Sequence, residues 1–194
     1  MHQQTTKTRR TITTRTLAYS ALLAALSVVL ARLIIPMPNA STRFSIEAVP
    51  IFLAGMLFGP LPGALVGFTA DFVGCLFSGY GYNPIFCLPP ILYGLCAGLL
   101  RQYICTKPNL LRLGIGWLIP VVLGSVLYQS ATLAWIYGDG IFYESFLIYL
   151  GSRSIQFAVT IVLDIVIVYL LCKSNIFKRM GIWPQRKEVA NDDC

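Results

Sequence analysis

The stretch that decides the fold is Ile46–Ser78, IEAVPIFLAGMLFGPLPGALVGFTADFVGCLFS. It is almost wholly apolar, and as one helix it would run about 50 Å. A bilayer core is only about 30 Å thick. Gly59-Pro60-Leu61-Pro62-Gly63 falls in its middle. Prolines end or open helices and glycines allow the turn between them. The segment therefore reads as two short helices, near 46–58 and 64–78, each shorter than a bilayer and packed among neighbours.

Working outward, further apolar spans lie at about 17–35, 85–104, 113–137 and 145–172, which makes six. The run Leu17–Ile35 follows a basic, Thr-rich segment, Lys7–Arg15. It is longer than the roughly 7–15 residues of a signal-peptide core and has no good small-residue cleavage site. It reads as an uncleaved first span. The expected architecture is an all-α membrane protein, one compact bundle of six transmembrane helices over residues 1–194. Short basic tails, 1–16 and 173–194, flank it.

Composition agrees. Charged residues make up 12% of the chain, hydrophobic ones 56%, and the mean hydropathy is +0.70. A soluble domain carries about 25% charged residues, so lipid must solvate much of this surface. The net charge of +7 does not form a basic stripe with interleaved aromatics, and nucleic acid is not an expected partner. Basic residues instead cluster between spans. With six spans and the N-terminus inside, Lys7, Arg9, Arg10, Arg15, Arg101, Lys107, Arg112, Lys173, Lys178, Arg179, Arg186 and Lys187 all face the cytoplasm. That is the bias of the positive-inside rule. Both termini are expected to be cytoplasmic in a bacterial plasma membrane.

The six cysteines include no C-x-x-C pair, and the one histidine, His2, lies in a polar tail. No metal site or cofactor is expected. Enzyme motifs such as H-E-x-x-H and G-x-S-x-G are absent, and small-residue seams argue for close packing over a channel.

Polar residues inside apolar spans carry the functional signal. A charge at mid-bilayer costs at least about 2.5–3.5 kcal/mol, so such residues pair or serve a site. Arg32, Arg43 and Arg153 are the basic residues left on or near the outer side; Arg32, near a helix end, can also snorkel to the surface. Arg153, Gln156, Thr160 and Asp164 share one face of the last helix. Ser125, Gln129 and Thr132 do the same on the fifth, with Trp135 a turn onward. Interhelical hydrogen bonding accounts for Ser125, Thr160 and Asp164, but less well for an arginine. On the third helix Gly63, Gly67, Ala70 and Gly74 form a small-residue seam. Asp71 sits in it, open to a structural or a functional role. The loop Gly79-Tyr80-Gly81-Tyr82-Asn83-Pro84 offers flexible backbone, flat rings and an amide. An aromatic belt at the membrane interface has the same composition. Together these elements outline an outward-facing pocket suited to a planar, aromatic, anionic solute.

Arg43-Phe44-Ser45-Ile46-Glu47-Ala48-Val49-Pro50, then Gly55, Phe58-Gly59-Pro60, Gly63, Gly67, Asp71 and Gly74, resemble the S components of energy-coupling factor (ECF) vitamin transporters. With Gly79–Pro84 and Leu92-Tyr93-Gly94-Leu95, the likeness is nearest to S components specific for folate. The resemblance implies a substrate-binding subunit, not an enzyme, that captures a vitamin at the outer face. It implies docking on one membrane coupling protein and two ATPase subunits. Ala21 and Ala25 match the docking signature of that family's first helix. No P-loop is present, so this chain would not hydrolyse ATP. For folate, Asp71 or Glu47 would take the pterin edge, and Tyr80 and Tyr82 would stack or close. Asn83 and Gln129 would add polar contacts, and Arg43 and Arg153 would hold the glutamate tail. S components for thiamine, riboflavin or pantothenate share the scaffold and are the alternatives, with a small membrane enzyme as the reading from another class.

Overall fold

The computed structural model describes residues 13–32, 35–36, 43–44, 46–77, 83–106, 109–138, 142–174 and 176–183. Helix α1 spans Thr14–Leu30. A two-residue antiparallel ladder, β1 (Ile35–Pro36) with β2 (Arg43–Phe44), pairs Ile35 with Phe44 and Pro36 with Arg43. Helices α2 (Ala48–Phe58) and α3 (Pro60–Leu76) follow. A 3-10 turn, Pro84–Cys87, leads into α4 (Leu88–Leu99), and a short α5 covers Arg101–Thr106. Then α6 (Leu110–Pro120), a π-helical stretch (Val121–Tyr128) and α7 (Gln129–Tyr137) form one continuous rod. The long α8 runs Phe142–Lys173, and α9 is the single turn Ile176–Arg179. The chain is a helical bundle.

Helix α2 is its centre. Every residue from Val49 to Leu57 is buried, as expected of a helix that is apolar all round. Phe52 stacks on Trp117 with ring centroids 4.4 Å apart, and Tyr93 meets Trp117 edge-on at 5.4 Å. The outside is apolar too: Leu111 is 81% exposed, Ile155 73% and Ile148 71%. Only lipid makes such a surface comfortable. The 28-residue rod Leu110–Tyr137 and the 32-residue α8 are long enough to cross a bilayer. The remaining apolar helices are shorter and pack around α2.

The break inside Ile46–Ser78 is narrower than the sequence suggests. One residue makes it: Gly59, whose φ of 107° belongs to no helix and suits glycine. Pro60 is already the first residue of α3, where its missing N–H has no partner to lose. Pro62 sits in the same first turn. So α3 starts at residue 60 rather than 64. The fourth span is also interrupted, since α4 ends at Leu99 and α5 begins at Arg101.

Three backbones meet beyond that joint. A Cβ on Gly94 would run into the carbonyl of Gly63, and one on Gly55 into the carbonyl of Gly94. A Cβ on Gly67 would strike the Pro90 carbonyl. Gly63 and Gly67 thus form the expected seam, against α4. Gly74 does not belong to it: nothing lies within 4 Å of its would-be Cβ. At that level α3 has separated from its neighbours, and a cavity opens.

Candidate functional site: a charged cavity

The cavity holds about 370 Å³, within the roughly 300–1,000 Å³ of small-molecule sites. It lies at the end of the bundle where α1 and α3 finish and α8 begins. Helix α1 and the residues after it supply Ser27, Ala31 and Arg32; the start of α2 supplies Glu47 and Ile51. Helix α3 contributes Ala70, Asp71, Gly74 and Cys75, one face at helical spacing. Phe86, Pro89, Pro90 and Tyr93 come from the 3-10 turn and α4, and Ser125 and Gln129 from the π-helical rod. The stripe Arg153, Gln156, Phe157, Thr160 and Asp164 closes it from α8.

Local bonds fix these walls. The Ser27 hydroxyl donates to the Glu47 carbonyl at 2.7 Å, tying α1 to the start of α2. Arg32 Nη2 donates to the Gly74 carbonyl at 2.7 Å, bridging the ends of α1 and α3 across the mouth. Tyr93 Oη and Ser125 Oγ are hydrogen-bonded at 3.0 Å inside the bundle. The Cys87 thiol hydrogen-bonds the Asp71 carboxylate, whose Oδ2 has no hydrogen-bond partner among the described residues.

The structure places Glu47, Asp71, Gln129 and Arg153 on this one wall. Asn83 is elsewhere engaged: its Oδ1 accepts the Ile85 N–H at 3.2 Å and caps the 3-10 turn. Tyr80, Tyr82 and the Arg43 side chain lie outside the described residues. The cavity adds Arg32, Phe86, Tyr93 and Phe157, none of which was singled out as a site residue. Arg32 was legible as a charge near a helix end. The aromatic residues gave no signal, because a ring on a cavity wall and a ring facing lipid look alike in sequence. Thr160 does back-bond within α8, its hydroxyl donating to the Gln156 carbonyl at 3.0 Å. Even so, it also lines the cavity.

Chemically the wall carries both signs of charge. Two guanidinium groups, three carboxylates and two side-chain amides border one space, together with the rings of Phe86, Tyr93 and Phe157. It can hold a solute that offers both hydrogen-bond donors and negative charge. Among the described residues, no group of three or more His, Cys, Asp or Glu side chains is placed to hold a metal.

Two solved structures share this architecture. FolT, whose crystal structure contains folic acid, superposes with a TM-score of 0.67 at 26% identity, over 82% of this chain and 93% of that one. The S component for biotin from an ECF-type ABC transporter gives 0.61 at 21% identity, over 88% and 96%, a likeness of fold. In sequence, an uncharacterised protein of Mycoplasma pneumoniae is 29% identical over 152 residues, 66% of this chain but 32% of its own length. A UPF0397 protein of Streptococcus pneumoniae is 33% identical over 81 residues, 42% of this chain and 44% of that protein. The chain thus spans less than half the length of the curated relatives it matches. A family described as the S component of the ECF-type riboflavin transporter matches residues 11–176. The chain belongs to that family, one of membrane transporter subunits rather than enzymes.

Proposed function

We propose that this protein captures folate at the outer face of a bacterial plasma membrane. It delivers the vitamin through an energising module of one coupling protein and two ATPase subunits. The observation that carries this reading is the mixed charge of the cavity wall. Arg32 and Arg153 share one cavity with Glu47, Asp71 and Asp164. A pterin presents N–H donors that a carboxylate accepts, and a glutamate tail presents carboxylates that guanidinium forks hold. The likeness to FolT supports the same reading. Riboflavin, for which the matching family is named, has rings and hydroxyls but no carboxylate to offer the two arginines. Tyr80 and Tyr82 would close over the ring, Arg43 would join Arg153 on the tail, and Gln129 would add a polar contact.

The test is titration of the full-length protein in detergent with folate, riboflavin and biotin, with the co-purifying ligand identified by mass. Folate should bind without ATP or metal. Arg153→Ala should weaken folate roughly tenfold to hundredfold, the worth of a charge-assisted contact of about 1.5–3 kcal/mol. Pteroate, which lacks the tail, should be unaffected. Equal weakening of both would make Arg153 structural, and riboflavin as the co-purifying ligand would replace the folate reading.

Orientation has its own check. Both termini are proposed to be cytoplasmic. In a Cys-free background, a cysteine at Gly79 should react with an impermeant reagent in intact cells and one at Gln185 should not. The reverse pattern would invert the topology.

A further inference from the structure

Asp164 is the most buried charged residue that lines the cavity. Only 3% of its surface is exposed, and its Oδ1 has no hydrogen-bond partner among the described residues. Below it on the same face of α8, Val168 and Cys172 are buried in the core. Above it run Thr160, Phe157, Gln156 and Arg153, all on the cavity wall. Asp164 therefore marks the floor, where a polar stripe gives way to an apolar one. A buried carboxylate oxygen without a donor is costly. Interhelical bonding, the ordinary reason to keep one, does not satisfy this oxygen. Its neighbours on the floor do not reach it either: Tyr93 and Ser125 are bonded to each other.

The other two carboxylates are differently placed. Glu47 is exposed, and Asp71 is only half-buried and already accepts from Cys87. Distance adds a direction. Arg153 and Asp164 are eleven residues apart, three turns and nearly eclipsed, so about 16 Å separates them along the helix axis. That matches the extended reach of a pterin joined through aminobenzoate to a glutamate.

We propose that Asp164 receives the N–H donor edge of the solute's ring at the cavity floor, so that the vitamin sits head-down with its anionic tail at Arg153. This rests on the folate reading for the length match, while the donor-edge role holds for any ring that carries such an edge. It makes Asp164, rather than Asp71 or Glu47, the residue that selects the ring.

A two-by-two comparison tests it: wild type and Asp164→Leu, each titrated with folate and with 2-desamino-2-methylfolate, in which a methyl replaces the amino donor. Wild type should prefer folate roughly tenfold to hundredfold. Asp164→Leu, which removes both acceptor oxygens at similar volume, should bind folate more weakly and tell the two apart by less than about threefold. Its melting temperature should not fall, because the lost oxygen had no partner to lose. If the leucine variant keeps the preference, or loses affinity for both compounds equally, Asp164 is structural and the proposal is overturned. Should the leucine variant not fold, Asp164→Asn takes its place, with a narrowed preference supporting and a full one overturning. If wild type binds riboflavin and not folate, the folate reading falls. Riboflavin against its N3-methyl analogue then decides Asp164 by the same criterion. Binding of neither vitamin overturns both.

Discussion

Gly94→Val is expected to yield no monodisperse protein in detergent, while Gly74→Val yields a folded one. Gly94 stands where the backbones of α2, α3 and α4 touch. Its own Cβ would meet the carbonyl carbon and oxygen of Gly63, and the Gly94 carbonyl already fills the space a Cβ on Gly55 or Gly63 would need. A side chain that meets another side chain can rotate away. One that meets backbone forces whole helices apart. Overpacking a core ordinarily costs about 1–3 kcal/mol, and moving three helices exceeds that range. In a membrane the loss is not recovered, because lipid tails offer no hydrophobic drive to press helices together and close van der Waals packing is what holds them. Gly74, on α3, is the control, with open space beyond it. There the added bulk enters the cavity and should reduce ligand binding, not folding. Size-exclusion profiles and melting temperatures of the two variants check this. A Gly94→Val protein that elutes and melts like wild type would show that the seam tolerates separation.

That seam was largely readable in advance, and the reason is instructive. Gly59, Pro60, Gly63 and Gly67 act through backbone geometry, which depends on the residue itself and its near neighbours. The same holds for the helix break and for the polar stripe of α8, whose members follow from periodicity alone. Gly74 shows the limit. It continues the small-residue spacing, yet the helices diverge by one turn before it, and only tertiary geometry sets where they part. Asn83 is a second case. An amide beside tyrosines reads as a ligand contact, but Pro84 opens a 3-10 turn behind it and the side chain turns to cap the Ile85 N–H. The π-helical stretch after Pro120 is a third. Proline removes an N–H from the helix ladder, and a wider winding is one way membrane helices adjust to that loss. Its extent over Val121–Tyr128 has no sequence marker. Asp164 was hidden for another reason: it looks like an interhelical bonding group until the cavity beside it is seen.

Binding and transport should separate on α1. Ala21 and Ala25 are one turn apart and both exposed, whereas Leu23, Ala24 and Val28 pack against the core and Ser27 is buried. The alanine strip therefore faces away from the bundle. Leu22, 65% exposed, and Leu26, 45%, run beside it, leaving a shallow groove between larger side chains. A groove floored by alanine lets a foreign helix come close, which fits the docking role that the family resemblance assigns to these positions. Replacing both with leucine fills the groove. It barely alters hydrophobicity or helix propensity, and it introduces no clash inside the bundle, because the strip touches none of the core. The variant should insert, melt and bind folate like wild type. Against a partner helix the added bulk should cost about 1–3 kcal/mol, a roughly tenfold to hundredfold loss of complex. Vitamin uptake by cells and co-purification of the coupling protein should fall together. Normal uptake would remove the docking role from Ala21 and Ala25. Loss of folate binding in the isolated subunit would mean instead that the strip supports the cavity from behind, through Ser27 and its bond to the Glu47 carbonyl.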